Sequence, residues 1–296
     1  MYYSIKLYGL LFLIIVVFSC KGKDTPSIGL GELLNQTNTL ESSKRFLEMN
    51  PDNVDAIIWY GRRTAYTGDY REAIKIYSDG IGKYPSEPQL YRHRGHRYIS
   101  LKKYDEAIND FLKAETLIHG TDDITEQDGI PNSQGVPISS LHGNIYYHLA
   151  LGYYLKHDWK NAIATYEKRK KTHRNDDNIV SACHWNYMAL RRDGQDEEAL
   201  RLLDEIKPDM DIIENMAYHR SCLFYKGLVT EEDLVDDIRN EAGKINEVVL
   251  YTLANWNMYH KHDSIKARKY YELLMQEGNP YSFAYLAGDA DVEKHF

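Results

Sequence analysis

Residues 68–74 read Gly-Asp-Tyr-Arg-Glu-Ala-Ile, and residues 102–108 read Lys-Lys-Tyr-Asp-Glu-Ala-Ile. Tyr, Glu, Ala and Ile each return at a spacing of 34, and shorter versions of the phrase surround three later alanines. These key alanines stand at positions 73, 107, 162, 199 and 267, so the last interval is twice the first. A fixed period of this length predicts an array of similar helical units rather than one or two conventional domains.

The repeated positions resemble the tetratricopeptide repeat, a family built from pairs of helices. The pattern residues in the first complete repeat are Ile57, Gly61, Ala73, Tyr77, Gly80 and Pro85, and those in the second are Tyr91, Gly95, Ala107, Phe111 and Ala114. Small residues let the two helices approach, aromatic rings fill the space between them, and proline ends the second helix. The resemblance implies an all-α, right-handed superhelical solenoid of about six helix pairs, with a capping helix at each end.

The repeats are expected in order along residues 41–296. They cover residues 54–87, 88–121, 143–176, 180–213, 214–247 and 248–281. The fifth is degenerate, with helices expected at 212–225 and 231–240, the second capped by Thr230. Later repeats also depart from the pattern. Tyr187 and Asn255 stand where the first complete repeat has Gly61, and Arg169 stands where it has Gly80. We expect a lone helix at 41–49, and a final helix within 282–296 that covers the open end of the stack.

An insertion separates the second and third repeats. This segment, residues 118–141, is rich in Gly, Pro, Asp, Asn and Ser and has little apolar periodicity. A loop of this length in a compact array is usually either functional or disordered. Ile130, Val136 and Ile138 could dock it over the groove of the solenoid. The sequence leaves open whether the segment is an ordered loop docked in this way or a disordered one.

Residues 1–20 have the pattern of a secretory signal. Lys6 precedes an apolar run from residue 7 to residue 18, which is too short to span a bilayer as a helix. Val17-Phe18-Ser19-Cys20 resembles the bacterial lipobox, so residues 1–19 are expected to be removed and Cys20 to carry the lipid. Residues 20–40 then form a tether. By the same resemblance, the absence of Asp after Cys20 favours the outer membrane or periplasm, with membrane contact through the lipid anchor only.

The charge balance excludes some partners. The chain has 36 Lys and Arg against 44 Asp and Glu, a net charge of -8, and the mature chain without Lys6 has -9. An acidic protein is not attracted in bulk to nucleic acid, so no nucleic-acid partner is expected. Tyr is unusually frequent, with 25 Tyr against 7 Phe, which suits thin helical layers where a ring packs and a hydroxyl meets water.

In this family, the first helix of each pair lines the concave face. The resemblance therefore places the following residues in a partner-binding groove: Arg62, Tyr66, Arg92, His96, Tyr147, Tyr154, His184, Met188, Arg191, Arg192, Trp256 and Tyr259. Arg and Tyr are favoured at binding hot spots, and the groove is more basic than the rest of the chain. We therefore expect a protein or peptide partner that carries acidic or carboxylate groups. The Lys and Asn of the family's clamp for chaperone tails are missing, so that function is not expected.

No pattern in the sequence indicates an enzyme. The chain has no glycine-rich phosphate loop, nucleophile elbow or zinc-protease helix. His142, His148, Cys183, His184, His219 and Cys222 could in principle bind a soft metal. Only His219 and Cys222 have a spacing that puts them on one helix face, so neither a metal nor another cofactor is expected.

These features favour a non-enzymatic protein-interaction scaffold of the bacterial cell envelope. One alternative is a structural subunit of an outer-membrane assembly or nutrient-uptake complex. A second is an unrecognised enzyme or enzyme accessory, which would need a closed pocket with strongly perturbed acid or base groups.

Overall fold

The structure is a computed structural model that describes residues 36–172, 174–240 and 242–296. Within these ranges it has fourteen α-helices and no β-strand beyond two isolated bridges. The helices are α1 (Leu40–Met49), α2 (Val54–Tyr66), α3 (Tyr70–Lys83), α4 (Pro88–Ser100), α5 (Tyr104–Ile118), α6 (Leu141–Leu155), α7 (Trp159–Arg169), α8 (Asp176–Arg192), α9 (Asp196–Leu202), α10 (Met216–Tyr225), α11 (Glu231–Asp236), α12 (Glu247–Tyr259), α13 (Ser264–Glu277) and α14 (Phe283–His295). The predicted signal sequence and Cys20 lie outside the described residues.

The helices form six consecutive pairs, from α2 with α3 to α12 with α13, and each pair packs on the next. The first helices of neighbouring pairs also touch one another, so they form one continuous face of the stack. Helix α1 packs on α2 at one end, and α14 packs on α12 and α13 at the other. The predicted all-α solenoid of about six helix pairs with terminal capping helices is confirmed.

Helix caps and close-packed glycines shape each pair. The side chains of Asn53 and Asp69 accept hydrogen bonds from the third amides of α2 and α3, which fixes where these helices begin. A Cβ on Gly61 would overlap the ring of Tyr77. A Cβ on Gly95 would lie 2.9 Å from the ring of Phe111. Glycine at these two positions therefore allows each pair of helices to approach around a buried ring.

The degenerate fifth pair has shorter helices than the sequence predicted. Helix α10 begins at Met216 rather than at 212, because the buried carboxylate of Asp177 accepts hydrogen bonds from the amides of Ile213, Glu214 and Asn215. Those amides hold the chain in a turn over α8. The cap at Thr230 is confirmed and forms a reciprocal capping box with Asp233.

Helix α14 reaches further than the predicted end cap. It packs on the last pair through Gly288, where a Cβ would lie 2.7 Å from Leu274. It also contacts α6, and Asp289 pairs with Lys102 between α4 and α5. The helix therefore lies inside the curve of the stack rather than only over its open end. No helix in the described part of the chain has the length and apolar character needed to cross a membrane.

Candidate interaction site on the concave face

The insertion loop is ordered and covers the first half of the concave face. Its Glu126 is buried, with Oε2 3.1 Å from Arg92 Nε and Oε1 3.7 Å from His93 Nε2. Asn144 of α6 donates a hydrogen bond to the same carboxylate. The loop is therefore attached through an acidic side chain that enters a basic surface.

Backbone carbonyls of the loop complete this attachment. Arg62 donates to the carbonyl of Gln127 at 2.9 Å, and Arg63 donates to that of Gly129 at 2.7 Å. The loop closes at its base, where the amide of Glu126 donates to Ser139 O at 2.9 Å. Of the three apolar side chains expected to dock the loop, only Ile138 is buried, and Ile130 and Val136 are exposed. Polar contacts therefore do most of the docking.

Helix α14 fills the second half of the concave face. Phe283, at its start, contacts the rings of His96, Tyr147 and His148 with centroids 5.4, 6.4 and 5.5 Å away. Asp291, near its end, is fully buried and pairs with Arg192 at 2.7 Å. This half of the face is therefore occupied by the chain's own last helix.

Several donors hold the Asp291 carboxylate. The hydroxyls of Tyr251 and Tyr271 donate at 3.0 Å each, that of Tyr259 donates at 3.3 Å, and His157 Nε2 lies 3.2 Å away. Burial alone would raise the pKa of Asp291, but Arg192 and His157 hold it below its ordinary value. Arg and Tyr side chains of the concave face therefore hold a carboxylate that belongs to the chain itself.

A cleft remains open between the loop, α6 and the turn before α10. One part has a volume of about 250 Å³ and the other of about 220 Å³, and they share Ser139, Asn144 and Glu214. The predicted groove residues Arg62, Tyr66 and Arg92 line the first part, and Tyr147 lines the second. These volumes are large enough to hold a few side chains of a partner.

Burial and neighbouring arginines lower the pKa values of three histidines in the first part of the concave face. Burial, followed by the charges of Arg92, Arg62 and Arg97, lowers the pKa of His93 well below its ordinary value. Burial and Arg92 lower the pKa of His148 to about 3, and burial and Arg97 lower that of His96. The three imidazoles therefore stay neutral near pH 7 while the guanidinium groups carry the charge.

The other predicted groove residues lie away from this cleft. Tyr154, His184 and Met188 are in the core, with 1%, 0% and 1% of their surface exposed, so they present no surface to a partner. Tyr154 shares a 2.7 Å hydrogen bond with Tyr251. These three residues belong to the packing between successive first helices, which is tighter here than the family pattern implied.

Four more of the predicted residues form two groups in the last turns of α8 and α12. Arg191 contacts His260 Nδ1 at 2.7 Å, and His260 stacks on Trp256 with centroids 3.7 Å apart. Arg192 lies over the ring of Tyr259, with its Cζ 3.9 Å from the centroid. The twelfth residue, His96, packs against Phe283 of α14. The structure therefore divides the predicted residues among a cleft, a core, the ends of α8 and α12, and a contact with α14, instead of one continuous groove.

The histidine and cysteine residues considered for a metal do not form a site. In the described ranges, no three His, Cys, Asp or Glu side chains are arranged to hold an ion. Cys183 and Cys222 are buried free thiols. Burial and the adjacent thiol of Cys183 raise the pKa of Cys222 well above its ordinary value, so these residues act as core side chains.

Sequence reasoning missed the residues that fill the concave face. Glu126 and Asp291 fall in segments without a repeat pattern, and no local signal shows that a single carboxylate will be buried.

The six helix pairs and their ring-against-glycine packing define a solenoid of the tetratricopeptide type. Solved structures to which the chain is similar include YrrB, a TPR protein with an unusual peptide-binding site (16% identity, TM-score 0.45, covering 85% of this chain and 100% of YrrB). A second is pilF of Pseudomonas aeruginosa, at 17% identity and a TM-score of 0.47, covering 87% of this chain and 92% of pilF. A third is a tetratricopeptide repeat protein from Parabacteroides merdae, at 14% identity and a TM-score of 0.48, covering 88% of this chain and 93% of that protein. No family model and no curated protein matches the chain.

Proposed function

We propose that this protein is a non-enzymatic scaffold of the bacterial cell envelope, lipid-anchored at Cys20, that binds a segment of a partner protein in the cleft between the insertion loop, α6 and α10. The observation that supports this proposal most is the cleft itself, which stays open although the loop and α14 fill the rest of the concave face. Tyr66 lines it and is 45% exposed, which makes its ring available to a partner.

The surroundings of the cleft favour binding over catalysis. The strongly shifted histidines owe their low pKa values to burial and to neighbouring guanidinium groups. They remain neutral and packed against aromatic rings such as Phe111 and Phe283 rather than beside a nucleophile. Aromatic and arginine side chains on rigid helices give binding energy with little loss of conformational entropy.

A pair of matched tyrosine substitutions tests the proposal. Tyr66 and Tyr281 are both 45% exposed, but only Tyr66 lines the cleft. The full-length protein and its Y66A and Y281A variants would be used to recover bound proteins from envelope membranes, with quantification by mass spectrometry. We expect a partner that is recovered with the unchanged protein and with Y281A and is lost with Y66A. Equal recovery with both variants would place the binding surface elsewhere.

A further inference from the structure

Two buried thiols lie on adjacent first helices of the stack. Cys183 is on α8 and Cys222 is on α10, which packs against α8. Both are free, and 4% and 0% of their surfaces are exposed. The chain's other cysteine is Cys20, the predicted lipid attachment site, so within the lipidated chain these two thiols can pair only with each other.

Contacts with α8 place the two sulfur atoms side by side. Cys222 Sγ lies 3.6 Å from the carbonyl oxygen of Val180, which is one turn before Cys183 on α8. A helical side chain points back over the turn that precedes it, so the Cys183 side chain covers this same turn. The sulfur of Cys222 therefore lies on the part of α8 that Cys183 itself covers.

The reduced thiols have only weak hydrogen-bond acceptors in this core. Cys183 Sγ lies 3.9 Å from the carbonyl oxygen of Leu202, and the S–H group is a poor donor. Burial raises the pKa of Cys222 well above its ordinary value, and the hydrogen-bonding contact with Cys183 raises it further. A bond between the two sulfur atoms would remove both S–H groups and would lose only these weak contacts.

Cys183 is the thiol that a reagent reaches first. It lines a narrow pocket of about 30 Å³ between α7, α8 and α9, and Cys222 does not line this pocket. A pocket of this volume admits water but no larger molecule. An oxidant therefore reaches Cys183 when α9, a helix of seven residues, moves away from α8.

From this geometry we infer that Cys183 and Cys222 form a disulfide bond when the protein meets a disulfide oxidant, of the kind that an oxidising envelope compartment contains. Cys183 loses its proton, and its sulfur attacks one sulfur of the oxidant and releases one reduced thiol. Cys222 then loses its proton and attacks the Cys183 sulfur of the mixed disulfide, which releases the second thiol. The oxidant thus gains the two electrons and two protons that the cysteines lose.

The bond would close residues 184–221 into a loop that contains one wall of the cleft. Glu214 and Tyr218 line the cleft, and hydrogen bonds from the amides of residues 213–215 to Asp177 hold the turn before α10. A covalent link between α8 and α10 restricts the unfolded chain and keeps this turn over α8. The oxidised protein should therefore be the more stable form.

Oxidation by glutathione disulfide tests this inference. The full-length C20S variant is used because Cys183 and Cys222 are then the only cysteines. The reduced protein is incubated with glutathione disulfide, both in the folded state and during refolding from urea, so that burial of the thiols cannot prevent the reaction. Remaining thiols are blocked with N-ethylmaleimide, and the peptides are analysed by mass spectrometry without reduction. We expect a linked pair of peptides that contain Cys183 and Cys222, and a melting temperature at least about 5 °C above that of the reduced protein.

The C183S and C222S changes, each made in the C20S protein, are the controls. Neither protein should gain thermal stability on oxidation, because one thiol cannot form the bond. Refolded protein whose two cysteines carry maleimide or glutathione, with no linked pair of peptides, would overturn the inference. An oxidised protein that melts below the reduced one would also overturn it, since α8 and α10 would then not present the two sulfur atoms at bonding distance. These results do not involve a partner, so the proposed function stands or fails separately.

Discussion

At the scale of single residues, Asp291 shows how the last helix is held. Its carboxylate receives donors from α8, α12, α13 and the turn after α6, and none of its surface is exposed. A buried ion pair contributes little over an apolar substitute, but breaking it leaves an uncompensated charge in the core. The stability of this region should therefore depend strongly on the charge of one side chain.

We expect the substitution D291N to lower the free energy of unfolding by about 3–5 kcal/mol, because it leaves the buried guanidinium of Arg192 without a carboxylate. Urea denaturation measures the change. The control is D289N on the same helix, whose partner Lys102 is about half exposed, and we expect a loss below about 1 kcal/mol. Similar losses from both substitutions would mean that the Asp291 pair does not hold the helix.

His184 predicts how stability depends on pH. Burial lowers its pKa to about 3, whereas the unfolded chain has the ordinary value near 6.5. Between these pH values His184 binds a proton in the unfolded chain but not in the folded protein. The contribution of neutral His184 to the free energy of unfolding is therefore fully present above pH 6.5 and is lost as the pH falls. We expect His184 alone to lower the free energy of unfolding by about 2 kcal/mol as the pH falls from 6.5 to 5.

The H184N variant should show a correspondingly smaller decrease in unfolding free energy over that interval, whatever its stability at pH 7. Urea denaturation at several pH values checks this. His148, whose pKa is also lowered to about 3, remains in the variant, so part of the pH dependence should persist. An unchanged slope in H184N would show that His184 does not stay neutral in the folded protein.

At the scale of helices, the pairs depend on glycine where a ring crosses. Tyr77 is 1% exposed, so its ring cannot move aside for a Cβ on Gly61. We expect the substitution G61A to lower the free energy of unfolding by about 1–3 kcal/mol through overpacking. Gly82 on α3 has nothing within 4 Å of its Cβ position, and G82A should raise stability by up to about 1 kcal/mol. Thermal and urea unfolding measure both changes, and a change of the same sign for G61A and G82A would contradict this packing.

The repeat could be predicted from sequence because each pair is local. The phrase around Ala73 and Ala107 fixes both the helix period and the close contacts, and the stack follows from repeating one unit. The length of α10 could not be predicted, because it is set by Asp177, which belongs to another pair and is distant along the chain. The docking of the insertion loop could not be predicted for the same reason, since it depends on contacts between Glu126 and residues on α4 and α6 that are distant along the chain.

At the scale of the whole molecule, the concave face combines predicted and unpredicted parts. Arg62, Tyr66, Arg92 and Tyr147 were identified from the family pattern and do line the cleft. The pattern could not show that α14 would enter the curve of the stack, because a sequence repeat describes neighbouring pairs and not contacts between α4 and α14. The open groove expected from the repeat is therefore reduced to a cleft.

The proposed membrane anchor also concerns the whole molecule. We expect the unchanged protein to incorporate an alkyne-labelled fatty acid and to sediment with membranes, and the C20S variant to do neither. Cys183 and Cys222 serve as an internal control, since they are buried and should take up no label. Label that persists in C20S would refute lipidation at Cys20, and a soluble unchanged protein would refute the anchor.

The central claim is that a partner binds at the cleft on the concave face, and photocrosslinking in the native envelope tests it most directly. A benzophenone amino acid would replace Tyr66 in the cleft or, as the control, Ile265, which is 75% exposed on α13. The account predicts a crosslink from position 66 to one segment of one protein and none to that protein from position 265. A partner crosslinked at position 265 with none at position 66 would contradict it.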